Sequence, residues 1–276
     1  MDFKVLFATL LLIPLSGCFT PLDDDTITLR LATTTSMRDS GLLDILITDF
    51  ERIHEIQIEY VAVGTGAALE LGENKDVDAL IVHSPEQEAT FIEQGYGIER
   101  TLLAWNSFVL LSPISLPEQL DDAFFEIQEQ EHCFISRGDF SGTHEKEQDI
   151  WRQLNQSHGV VLTSDSNGIH PSGDWYRSIG QGMGAAINMA HEKNCITLSD
   201  RGTALHYQDK VTLDRFEYED DVLYNPYSFI FITDRPSVAS TTFLDYLTNQ
   251  GQDLIANYTI GGQPAFFVPT DSSTTQ

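Results

Sequence analysis

The sequence predicts an α/β protein of two lobes, and three observations lead there. Short β-rich runs alternate with amphipathic helical runs along most of the chain, a pattern that implies βαβ units on a parallel sheet. The 276 residues, or 259 once residues 1–17 are set aside (276 − 17), suffice for one large or two medium domains. Linker signals are few, and no internal repeat or low-complexity block interrupts the pattern, so the chain is expected to cross between its lobes more than once. An apolar fraction of 41% with 10% aromatics excludes wholesale disorder.

The elements follow in order. "TITLRLATTT" reads as a strand, with Thr26, Thr28 and Arg30 alternating against Ile27, Leu29 and Leu31. "SGLLDILITDFERIH" carries Leu42, Leu43, Leu46 and Phe50 at helical spacing. "IQIEYVAVG" is a strand, "TGAALELGEN" a helix start and "VDALIVH" a strand. "SPEQEATFIEQG" is a helix with Ser84 as N-cap and Pro85 at its first position, followed by the strand "NSFVLLSP". Gly72 and Gly95 stand where a left-handed residue ends a helix. The second half continues the alternation with strand "HCFISRG", helix "THEKEQDIWRQLN", strand "CITLSD", helix "RGTALHY", strand "NPYSFIFIT" and helix "STTFLDYLTNQGQDLIANY". The polar stretch 154–174 reads as a long loop.

The N-terminus speaks to location. The apolar run from Val5 to Leu15 is shorter than the roughly 20 residues of a membrane-spanning helix. Ending in Leu15-Ser16-Gly17-Cys18, it reads as a secretory signal and resembles the bacterial lipobox, in which Cys18 is lipidated. A periplasmic or cell-surface protein, anchored by lipid alone, is the expectation. Cys133 and Cys195 each precede a strand-like run, so adjacent strands can bring them together; a bridge and two buried thiols both remain open. A net charge of −27 argues against a nucleic-acid partner, since phosphate binding needs clustered Lys and Arg.

Chemistry collects where strands end and helices begin. Thr33, Thr34, Thr35 and Ser36 form one such junction, Gly64-Thr65-Gly66 a second, and "SRGDFSGTH" (136–144) a third. Each offers hydroxyls and unpaired N–H groups at a helix N-terminus, where anions bind. A single Ser or Thr there is only a cap. Three hydroxyl-rich junctions, one carrying Arg137, favour an oxyanion pocket. Gly64-Thr65-Gly66 lacks the third glycine of GxGxxG and has no Walker Lys, so both nucleotide motifs fail. Gly182 and Gly184 flank Met183 before a helical run, which suits a close approach to a ligand or a plain tight turn.

A hydrolase is the remote alternative. Ser136 or Ser141 with His144 and Asp139 supply the residue types of a triad, but they lie close in sequence and no GxSxG elbow is present. His54, His83, His132, His158, His170, His191 and His206 show no paired metal-ligand spacing, so neither a metal centre nor catalysis is expected.

"LATTTSMRDSGLL", "VAVGTGAALELGENKDVDALIVHSPEQEATFIEQGYG", "FISRGDFSGTHEKE", "WYRSIGQGMGAAINMA", "LSDRGT", "NPYSFI" and "GQPAFF" together resemble the tungstate-binding (TupA-like) proteins of ABC importers over residues 29 to 267. The resemblance implies a type II periplasmic-binding-protein fold, with two α/β lobes, two crossing segments and an anion in the cleft. It implies lobes formed by 28–110 with 223–270 and by 111–222, after a signal peptide (1–17) and a tether (18–27). It further implies a monomeric receptor without cofactor that delivers tungstate to a permease. By the same resemblance Thr34, Thr35, Ser36, Thr65 and Gly66 line one wall of the site, and Arg137, Ser141, Gly142, Thr143, Gly182, Met183 and Gly184 the other. Asp139 and His144 stand behind them. Phe140 departs from the family pattern, where an acidic or small residue is expected. The Arg137-x-Asp139-x-Ser141-Gly142-Thr143 run also resembles phosphate-binding proteins, in which the Asp accepts the proton of hydrogen phosphate. Phosphate and molybdate therefore stand as alternative ligands, and Asp139 either steers Arg137, caps the next helix or meets the ligand.

Overall fold

A computed structural model describes residues 27–232 and 236–269. Cys18, the signal segment and nearly all of the tether lie outside the described residues. No helix among the described residues is long and apolar enough to cross a membrane.

The first half runs β1 (Ile27–Thr34), α1 (Thr35–Asp39), α2 (Leu42–Ile53), β2 (Ile56–Val63), α3 (Thr65–Glu73), β3 (Ala79–Val82), α4 (Pro85–Glu93) and β4 (Ile98–Ser112). The second runs α5 (Leu120–Glu129), β5 (Phe134–Ser136), α6 (Gly142–His158), β6 (Leu162–Asp165), β7 (Gly168–Pro171), β8 (Tyr176–Ser178), α7 (Met183–Lys193), β9 (Ile196–Asp200), α8 (Arg201–Tyr207) and β10 (Asp214–Phe216). The chain then returns to the first half as β11 (Tyr224–Phe231), α9 (Val238–Thr248) and α10 (Gln250–Asn257).

The strands order as β2-β1-β3-β11-β4-β9-β5-β8, with β10 beside β4. β1, β2 and β3 pair in parallel, as do β9, β5 and β8, whereas β11 and β4 run antiparallel to their neighbours. The sheet is therefore mixed, not purely parallel as the alternation alone implies. β4 joins the halves: it pairs with β11 up to Ser107 and with β9 from Phe108 onward. The chain crosses once within β4 and again between β10 and β11, which gives two crossing segments.

Each half has its own core. In the first, Leu42, Leu43, Leu46, Ile47 and Phe50 of α2 bury their helical stripe against Phe229, Phe243 and Tyr246. In the second, Phe124, Phe134 and Trp151 pack edge-on or tilted with centroids 4.8–6.1 Å apart, each pair adding about 0.5–1.5 kcal/mol beyond its buried area.

Several local expectations are corrected. The stretch 154–174 is not a loop: α6 runs to His158 and β6 and β7 form a hairpin. Its turn is closed by the Asn167 N–H donating to Asp165 Oδ1 at 2.7 Å and by Gly168 at φ +97°. Gly95 is left-handed (φ +80°), but Gly72 lies inside α3, where a Cβ would meet Ile232 Cδ1 at 2.7 Å; the left-handed residue there is Lys75. The long C-terminal helix breaks at Asn249 (φ −122°, ψ −92°). Ser84 occupies the N-cap of α4 with Pro85 at N1, yet its side chain caps nothing in that helix.

Candidate functional site: a hydroxyl-lined cleft around Arg137

β1, β2 and β3 of one half run opposite to β5 and β9 of the other, three antiparallel pairings away, so their carboxyl ends converge from the two sides on the point where β4 changes partner. Ligands of open α/β sheets bind at the carboxyl ends of the strands. Arg137 follows β5 directly and is only 2% exposed. Its Nη1 donates toward Ser36 Oγ and Thr143 Oγ1, both at 3.4 Å, and its Nη2 toward Thr35 Oγ1 at 3.5 Å. One guanidinium thus collects hydroxyls from the β1–α1 junction and from the first turn of α6.

A carboxylate fixes that fork. Asp139 Oδ2 accepts from Arg137 Nη2 at 2.6 Å and from Nε at 3.2 Å. Asp139 Oδ1 accepts the backbone N–H of Ser141 at 3.2 Å. Both roles expected of Asp139 short of touching a ligand, steering the arginine and capping the helix approach, are filled at once. The turn that permits this has Gly138 at φ +58° and Phe140 at φ +53°. A side chain at Gly138 would collide with Ser178 Oγ, so glycine is required there. Phe140 carries a left-handed strain of about 1–2 kcal/mol.

His144 supports the turn from behind. Its Nδ1 accepts the Phe140 N–H at 3.1 Å, which leaves Nε2 to carry the proton of the neutral ring. Burial holds this imidazole below the usual histidine range; the Asp139 carboxylate opposes that shift and the Arg137 charge adds to it. Ser141 caps α6 by accepting the His144 N–H at 3.4 Å.

The helix N-termini gather around the arginine. A Cβ on Gly64, the N-cap of α3, would lie 4.0 Å from Asp139 O and Ser141 Cβ. A Cβ on Gly182, the N-cap of α7, would lie 3.7 Å from Thr35 Oγ1. Thr65 is buried, and its hydroxyl has no hydrogen-bond partner among the described residues.

Other expected residues also have contacts of their own, which leave mainly their backbone for the cleft. The Thr34 hydroxyl accepts the Met37 N–H at 3.2 Å as the cap of α1. Gly66 is exposed beside Gln87. The Met183 side chain packs with Val109, Leu111 and Ile187 in the core, leaving only its backbone to face the cleft. A Cβ on Gly184 would run into Tyr207 Oη.

Two residues that the sequence does not single out also belong here. His83, just after β3, donates from Nδ1 to Asn225 Oδ1 at 2.8 Å, because Asn225 Nδ2 is committed to Asn106 Oδ1 at 2.7 Å. Burial lowers this imidazole to about 4, so it is neutral at pH 7. Asp200, at the end of β9, is fully buried and caps α8 through the Thr203 N–H at 3.0 Å. Burial raises its carboxyl, and the Arg137 charge works against that rise. Their signal is position alone, the carboxyl end of a strand.

A disulfide joins Cys133 and Cys195, with Cα atoms 4.7 Å apart, at the ends of β5 and β9 away from the cleft.

A family model described as the PBP superfamily domain matches residues 22–250. A tungstate-binding protein TupA of Peptoclostridium acidaminophilum is 41% identical over 72% of this chain and 68% of its own length. A second protein of that name, from Campylobacter jejuni, is 34% identical over 84% of this chain and 88% of its own. A solved structure of the tungstate ABC transporter from Geobacter sulfurreducens is 35% identical and superposes with a TM-score of 0.71, covering 84% of this chain and 98% of that one. The chain belongs to the TupA-like tungstate-binding family of ABC-transporter solute-binding proteins, has their type II two-lobed fold, and is a solute receptor and not an enzyme.

Proposed function

We propose that this protein captures tungstate in the cleft around Arg137 and hands it to an ABC permease, as a monomer held at the membrane surface by lipid on Cys18. The proposed walls are Thr34, Thr35, Ser36, Thr65 and Gly66 on one side, facing Arg137, Ser141, Gly142, Thr143 and Gly182 to Gly184. The proposed lobes are 28–110 with 223–270, and 111–222. The handover of β4 from β11 to β9 at Ser107 and Phe108 supports the first boundary.

The observation that carries the choice of anion is the occupancy of Asp139. Both of its oxygens accept protein hydrogen bonds, from Arg137 and from the Ser141 N–H. A protonated oxyanion such as hydrogen phosphate brings an O–H that needs an acceptor, and Asp139 already takes two donors on Oδ2 and one on Oδ1, which leaves it one lone pair for such a proton. Tungstate is fully deprotonated at neutral pH and only accepts, so a shell of hydroxyls, N–H groups and one charge-assisted arginine matches it. Lipidation is supported by the Leu15-Ser16-Gly17-Cys18 motif, and delivery to a permease by the family.

Titration calorimetry with tungstate, molybdate, sulfate and phosphate tests the reading. Tungstate binds tightly and phosphate weakly, with molybdate, of the same charge and shape, the nearest competitor. An Arg137→Lys variant loses about 100-fold in affinity, because an ammonium cannot reproduce the fork. Tight phosphate with weak tungstate overturns the assignment. Detergent phase partitioning of wild type against Cys18→Ala tests the anchor.

A further inference from the structure

The Ser84 hydroxyl donates to Glu145 Oε2 across the cleft, between residues 61 apart in sequence. Ser84 precedes α4 in the first half, and Glu145 sits in the first turn of α6 in the second. Ser84 stands at an N-cap position, where its hydroxyl ordinarily accepts a helix N–H. Here no such bond forms, and the hydroxyl is directed at the opposite wall. The serine is held for this task. Its N–H donates to Glu88 Oε1 at 2.7 Å, and Glu88 Oε2 is tied to Arg100 Nε at 2.5 Å. Ser84 is only 4% exposed. The walls touch at the same place, since a Cβ on Gly142 would lie 2.9 Å from His83 O.

We propose that Ser84 and Glu145 are positioning residues that latch the two lobes together, so that their hydrogen bond sets the rate at which the anion leaves the closed cleft. The proposal rests on the tungstate-receptor reading for its ligand. The bond spans elements that separate when a two-lobed receptor opens by hinge motion. A hydroxyl on a carboxylate is a charge-assisted pair, but opening returns both groups to water, so the net effect is moderate. Glu145 also places a negative charge near a site for a dianion. If charge were its only contribution, removing it would tighten binding.

The test separates these cases by stopped-flow fluorescence with tungstate. Ser84→Ala and Glu145→Ala each raise the dissociation rate about tenfold while the association rate stays within about twofold. The double variant is no faster than either single one, because both remove one bond. Glu145→Gln keeps an acceptor oxygen and Ser84→Thr keeps the hydroxyl, and both dissociate within about threefold of wild type. An unchanged dissociation rate in Ser84→Ala overturns the latch, as does tighter binding in both Glu145 variants. A spin-label distance across the cleft gives a second readout: in protein without tungstate, Ser84→Ala shifts the distribution toward longer distances. An unchanged distribution counts against the latch, whereas failure of the wild type to bind tungstate counts only against the receptor reading.

Discussion

Glu147 supplies the sharpest stability prediction, because it is a carboxyl in the middle of an aromatic core. It lies on α6 and is 2% exposed. Its Oε1 accepts from the Tyr176 hydroxyl at 2.5 Å and from Trp151 Nε1 at 3.4 Å. Burial raises it from 4.5 to about 7, and the bonds from Tyr176 and Trp151 only partly oppose that. The sign follows from proton binding. Between pH 4.5 and about 7 the folded protein holds a proton that the unfolded chain has released, so stability falls as pH rises through this window. Above it the full cost is present, on the order of 3 kcal/mol at about 1.4 kcal/mol per pH unit. Glu147→Gln keeps the Oε1 acceptor and removes the charge. Urea unfolding from pH 4.5 to 8, followed by tryptophan fluorescence, should find the variant more stable at pH 8 by about 1–3 kcal/mol. Near pH 4.5 the two proteins should agree within about 0.5 kcal/mol. The difference between them is the quantity to read, because His83, lowered by burial to about 4, costs stability in the opposite direction as pH falls below the usual histidine range. A difference that stays constant with pH, or a variant less stable at pH 8 than at pH 4.5 relative to wild type, would refute the argument.

Two further outcomes follow from the same structure. The Cys133–Cys195 bridge closes a loop with a sequence separation of 62; removing it by Cys133→Ser with Cys195→Ser should cost about 4 kcal/mol in urea unfolding under oxidising conditions, and a shift near zero would contradict that. The net charge of −27 repels a dianion on approach, so the tungstate association rate should rise with added salt as the screening length shortens. Affinity should change little, because Arg137, the proposed anchor, is only 2% exposed. An association rate that falls steeply with salt would sink this reading.

What is legible in the sequence is local. The Thr34–Ser36 and Ser141–Thr143 junctions announce themselves because a capping hydroxyl and its helix are neighbours in the chain. The Asp139 turn is equally short-range, as Gly138 and the bonds to Arg137 and Ser141 lie within two residues of it. Long-range partners are not legible. Nothing near Ser84 signals that its hydroxyl leaves α4 for Glu145. Nothing near Gly72 signals Ile232 and Phe91 above it, which convert an expected helix stop into a tight helix contact. Met183 is readable in principle, since Met183, Ile187 and Ala190 repeat at i, i+4 and i+7 and make a buried face; the flanking glycines mask that periodicity.

The pairing of Arg137 with Asp139 also explains how so acidic a molecule suits a dianion. An unpaired guanidinium buried to this degree would be costly, and a carboxylate at 2.6 Å offsets that cost while fixing the fork. The pair is formally neutral, so an arriving anion is held less by net charge than by dipoles. In the proposed site those dipoles are the hydroxyls of Thr35, Ser36 and Thr143 and the N-termini of α3, α6 and α7. Dipoles at fixed positions select by the size of the tetrahedron and by how many oxygens accept, and surface charge beyond about 8 Å at physiological salt is screened from that choice. On the proposed reading, selectivity resides in the turn that carries Asp139. A change such as Asp139→Asn, which would turn one acceptor into a donor facing Arg137, should degrade discrimination among oxyanions more than it degrades folding.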